Sequence, residues 1–156
     1  VTAYQEIDGS VVKDFARRTL ANLHFIEANK KQPDVYEVTQ LINSMLGLLV
    51  FPKEEFWDTI SPIPLSDIPS IQKMVIRCDT YKDPCNDLKT LIRHIRNSLS
   101  HFRIEFRNDK NHISRIEMSD EYNGQQWSAE MSIFDLRDFV VWFVTGIVDG
   151  SVMKSP

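Results

Sequence analysis

The chain has 156 residues, 42% of them hydrophobic and 26% charged, and a net charge of −4. That length suits a single domain, residues 1–156, with enough material for a buried core, and the negative balance excludes a generally basic nucleic-acid coat. No apolar run reaches the roughly 20 residues of a membrane helix, and the amino terminus lacks the basic start and apolar core of a secretory leader, so the expectation is a cytoplasmic protein that does not enter a membrane.

Val11 to Ala28 reads as a helix, with Phe15, Leu20, Leu23 and Ile26 near one face and Ser10 as N-cap. Pro33 marks a break. A second helix follows from about Asp34 to Val50, with a broad stripe of Val38, Leu41, Ile42, Met45, Leu48 and Leu49, and Pro52 stops it. Lys53 to Trp57 forms one short helical turn. Pro62, Pro64 and Pro69 make Ser61 to Pro69 an extended loop, a short helix is expected over Ser70 to Cys78, and Asp79 to Pro84 is another break. Cys78 and Cys85 match no zinc spacing and are expected as thiols in a reducing compartment, with a local disulfide closing the Asp79 to Pro84 loop as the lesser alternative.

From about Asn86 to Ser100, Leu88, Ile92, Ile95 and Leu99 recur at helical spacing, while Lys89, Arg93, Arg96 and Ser100 repeat on a neighbouring polar face. The period then changes to two. Phe102, Ile104 and Phe106 alternate with Arg103, Glu105 and Arg107, which predicts a half-buried strand. Ile113 to Met118 is a second strand. Asn123-Gly124 signals a hairpin turn, and Gln126 to Met131 supplies a third strand. Ile133 to Val148 is a helix apolar around much of its circumference, as in a deeply buried element or a subunit interface. The sum is a mainly α fold, a bundle of four to five helices with a small hairpin or three-stranded insert, about 102–131, before the last helix. Trp57, Trp127 and Trp142 are expected in the core, and His24 and His94 in structural or solvated positions.

The chemistry concentrates in Arg96-Asn97-Ser98-Leu99-Ser100-His101. Arginine holds phosphate oxygens, histidine moves protons near neutral pH, and an amide orients either one. The Arg-x4-His spacing alone is cheap, because Arg107 to His112 repeats it in a polar turn. The first copy ends an amphipathic helix, and a rigid element positions reactive groups better than a turn. Charge points the same way. Asn86 to Arg115 holds seven Lys and Arg against three Asp and Glu, a net +4 that leaves −8 for the rest of the chain. Such a zone fits a local phosphate-binding surface or an ordinary solvated face. No carboxylate cluster has metal-ligand spacing.

The stretch from Leu88 to Phe106, ending Arg-Asn-Ser-Leu-Ser-His-Phe-Arg-Ile-Glu-Phe, resembles the HEPN signature of an arginine, a following polar residue and a histidine four to six positions on. Asn43 to Pro52 is similar to a second block of a plasmid- and chromosome-borne bacterial HEPN subfamily. The resemblance implies an HEPN-like antiparallel helical bundle, from which the strand-rich insert departs. It implies Arg96, Asn97 and His101 as catalytic residues of a metal-independent endoribonuclease with no cofactor. In that reading the ribose 2′-hydroxyl attacks phosphorus, His101 acts as base or acid, Arg96 holds the non-bridging oxygens, and Asn97 fixes the histidine or the phosphate. Lys89, Arg93, Ser100 and Arg103 would bind RNA. HEPN proteins are commonly homodimers that face two such motifs across one cleft, and toxin or phage-defence roles with a nucleotidyltransferase-type antitoxin are family expectations. A catalytically silent RNA- or nucleotide-binding domain and a helical dimerisation scaffold remain alternatives.

Overall fold

Five α-helices and four strands make up the described part of the chain, residues 11–50, 54–78, 85–109, 112–122 and 124–154 of a computed structural model. They run α1 (Val11–Ala28), α2 (Glu37–Leu49), α3 (Glu54–Asp58), β1 (Val75–Cys78), α4 (Leu88–Ser100), β2 (Ile104–Asp109), β3 (His112–Tyr122), β4 (Gln125–Ser132) and α5 (Ile133–Asp149). The expected Ser10 cap and the Asp79 to Pro84 break lie outside the described residues.

Apolar periodicity places α1, α2, α4 and α5 where the sequence predicts them. α5 is central. It packs on α1, α2 and the sheet, and buries Leu136, Phe139, Val140, Phe143, Val144 and Ile147. Trp57 and Trp127 are buried, whereas Trp142 is half-buried. Asn43, the first residue of the family-like block, is exposed on α2.

The fold is mixed rather than mainly α. The sheet is antiparallel with order β1-β4-β3-β2, so it has four strands rather than three. The extra strand comes from the segment expected as a helix over Ser70 to Cys78. Pro69–Ile71 forms only a 3₁₀ turn, and Val75–Cys78 pairs with β4, Val75 opposite Glu130 and Cys78 opposite Trp127. The β-branched pair Val75 and Ile76 favours an extended strand, and beside the β4 edge it gains ladder hydrogen bonds.

A second expectation fails at β2. Only Ile104 of the alternating set is half-buried, while Phe106 is 40% exposed and Phe102, which precedes the strand, is 78% exposed. β2 is an edge strand, and the helices pack on β3 and β4 instead. A hairpin joins β3 and β4 as expected, with Gly124 at φ 75° and Tyr122 paired with Gln125, while Asn123 lies outside the described residues.

A two-pronged ion pair ties α5 to α1. Arg137 donates from Nε to Glu27 Oε1 at 2.7 Å and from Nη2 to Oε2 at 2.9 Å. The Arg137 hydrogen bonds hold the Glu27 carboxyl below its ordinary range, against the opposing effect of burial. Both partners are partly exposed, so Arg137→Met is expected to cost about 1 kcal/mol, about 2–4 °C in Tm. Because the Glu27 pKa is depressed in the folded state, this contribution is complete above the unfolded glutamate value and fades as pH falls through the folded one. Thermal melts at neutral and acid pH should show the gap between wild type and variant closing in acid. An unchanged gap would contradict the assignment.

Candidate active site

α4 is closed at both ends. At its start the Asp87 carboxylate accepts the Thr90 backbone N–H at 2.8 Å. Leu88, Leu91, Ile92, Ile95, Ser98 and Leu99 are buried on its inner face. At its end the Phe102 N–H donates to Leu99 O at 3.1 Å and the Arg103 N–H to Ser98 O at 2.8 Å. This pair is a Schellman closure, which demands a left-handed residue just past the cap. That residue is Phe102, with φ 54°. Glycine is the usual occupant, as at the end of α5, where Gly150 has φ 85°. A phenylalanine there costs about 1–2 kcal/mol, and its exposed ring recovers none of it by burial.

The motif residues occupy a polar arc of α4, but not one pocket. The Arg96 guanidinium lies over the Trp57 ring as a cation–π contact, its Cζ 5.5 Å from the ring centroid. With Lys89, Arg93, Trp57 and Asp58 it lines a cleft of about 190 Å³ on the α3 side of the helix. His101 is the exposed C-cap, about 140° around the helix from Arg96. Ser100 is exposed at the last helical position. Arg103 lies past the helix end. Its Nη1 approaches Glu121 O at 3.4 Å, and it lines a second cleft of about 470 Å³ with Arg77, Ser119, Gln126 and Ser128. Lys89, Arg93 and Arg96 are thus brought together, while Asn97 and Arg103 meet β3 and His101 stands exposed at the cap.

Asn97 turns inward. Its Nδ2 donates to Asp120 Oδ2 at 3.0 Å, and the same oxygen accepts His94 Nδ1 at 2.8 Å. His94 lies flat on Trp127, with centroids 4.9 Å apart and planes 8° apart. Asp120 is 6% exposed, and sequence reasoning did not single it out. One signal was available. Ile116, Met118 and Asp120 alternate, so an acid occupies an inward strand position, where it needs a buried donor. Ser98 Oγ lies 2.7 Å from Ser119 O and 2.8 Å from His94 O, within donating distance of both carbonyls. The end of α4 is therefore fixed to β3 by side chains as well as by its backbone closure.

The basic window is more neutral than its sequence suggests. Lys89 pairs with Asp58, Arg107 with Glu117 and Arg115 with Glu130, all carboxylates from outside the window. Those cations lower the pKa of Asp58 and Glu130 by hydrogen bonding, and Glu117 raises that of Arg107. Lys110 lies outside the described residues. The second Arg-x4-His pair commits Arg107 to Glu117 on an edge strand, so it differs from the first in setting as well as in chemistry. Among the described residues, no group of three or more His, Cys, Asp or Glu is placed to hold a metal ion, and no helix is long and apolar enough to cross a membrane.

Asp120→Ala removes the acceptor of two largely buried donors and is expected to cost about 2 kcal/mol in urea denaturation. Adding His94→Phe keeps a ring on Trp127 and removes one stranded donor, so the double variant should cost less than the sum of the two single changes. Simple additivity would show that Asp120 and His94 do not act together.

No match was found among curated proteins or among solved structures. The family model HEPN pEK499 p136 matches residues 2–149. That range takes in α4, the strands and all of α5. HEPN domains are generally associated with ribonucleases. The chain belongs to the HEPN pEK499 p136 family and thereby to the HEPN superfamily.

Proposed function

We propose that the protein is a metal-independent endoribonuclease that cleaves single-stranded RNA as a homodimer, serving as a toxin or phage-defence effector restrained by a nucleotidyltransferase-type antitoxin. The observation that carries this reading is an Arg-Asn-x3-His motif on the capped, rigidly anchored end of α4 in a member of the HEPN family.

In the proposed reaction the 2′-hydroxyl oxygen attacks the adjacent phosphorus and passes its proton to His101. The P–O2′ bond forms as the P–O5′ bond breaks, and the departing 5′-oxygen takes a proton from a second imidazolium. Products are a 2′,3′-cyclic phosphate and a 5′-hydroxyl. Arg96 holds the non-bridging oxygens as charge builds. The Trp57 ring beneath its guanidinium helps to place that side chain on the outer side of α4. Asn97 acts as a positioning residue, since its amide holds Asp120. Lys89, Arg93, Ser100 and Arg103 contact the strand. The separation of Arg96 and His101 around α4 supports a half-site that a second copy completes, because one histidine cannot readily serve as both acid and base.

Purified protein in EDTA is expected to cleave single-stranded RNA and leave cyclic phosphate ends, with Arg96→Ala or His101→Ala slowing cleavage about 100-fold or more. Undiminished cleavage in both variants would overturn the site. Salt-dependent RNA binding with no cleavage by wild type would favour the silent binding domain.

A further inference from the structure

We propose that the Phe102 ring is a stacking platform for a nucleobase of the bound RNA, set beside the phosphate handled at His101; this rests on the function proposed above. Two non-glycine residues have positive φ among the described residues, Asp34 and Phe102. Aspartate tolerates that conformation, whereas a bulky aromatic does not. Phe102 bears the strain with a ring that is 78% exposed, so no core packing offsets it. Phe25 and Phe134 are also well exposed but carry no such backbone strain, which singles out Phe102 from ordinary surface apolar residues. The helix closure accounts for the left-handed backbone but not for an aromatic side chain where glycine would fit, and that choice points to function at this position.

The placement suits a single strand of RNA. Phe102 follows His101 directly and precedes Arg103, which lines a polar cleft with Arg77 and Ser119 and with the acids Asp120 and Glu121. Proteins hold single-stranded RNA by stacking bases on aromatic rings while cations track the phosphates. The mount is rigid. The Phe102 N–H is tied to Leu99 O, the Arg103 N–H to Ser98 O, and Arg103 O accepts the Ser119 N–H at 3.0 Å. These bonds fix where the ring is mounted, and its exposure leaves both faces open to a base.

The test uses the full chain and a short single-stranded RNA, with a 2′-O-methyl analogue to separate binding from cleavage. Phe102→Gly is expected to keep or raise Tm while weakening analogue affinity about 10-fold or more. Phe102→Trp should retain affinity and Phe102→Leu should not. Phe102→Gly with wild-type affinity and cleavage would overturn the proposal, as would Phe102→Leu matching Phe102→Trp. A fall in Tm for Phe102→Gly would show that the ring packs structurally, and conversion of a dimer to a monomer would show that it contacts a second copy; either result overturns it. Wild type that neither binds nor cuts RNA would instead defeat the functional reading beneath it, and this proposal with it.

Discussion

The junction between the end of α4 and β3 is the constraint on which the site depends. A helix end leaves carbonyls that need donors, and a buried carboxylate needs donors of its own. Here each requirement is met across the same seam. The Arg103 N–H closes Ser98 O, the Ser119 N–H closes Arg103 O, and Asp120 draws in His94 and Asn97. The sheet is therefore the part that aims the end of α4, rather than an ornament on a helical bundle. It fixes which side of the helix Asn97 faces and leaves His101 and Phe102 at the surface.

That arrangement gives the motif residues different duties. The amide of Asn97 is engaged in holding the scaffold, Arg96 is braced against Trp57, and His101 stands clear at the cap. Lys89, Arg107 and Arg115 are each paired with a carboxylate, so the cationic surface is weaker than the sequence window implies.

Much of this was legible in the chain. Helical periodicity gave α1, α2, α4 and α5, because each buries a face whose spacing is local. The hairpin was visible in Asn123-Gly124, since a tight turn imposes its own residue types. The motif stood out by type and position. What the sequence concealed is non-local. β1 exists because β4 offers an edge to Val75 and Ile76, and nothing in residues 70–78 announces that partner. Phe102 and Phe106 fit an alternating strand, yet the helices cover β3 and β4 and leave them exposed. Asp120 looks like one more surface acid until His94 and Asn97 are packed against it. The charge window likewise misled because Asp58, Glu117 and Glu130 come from outside it.

The central claim is that the capped end of α4 meets RNA. An amide-resolved NMR titration with a non-cleavable single-stranded RNA tests it most directly. The largest shift changes are expected at Arg96, His101, Phe102 and Arg103, with smaller ones relayed to Ser119 and Asp120 through the bonds that join them. Saturable binding whose shifts gather elsewhere, leaving these amides unmoved, would contradict the account.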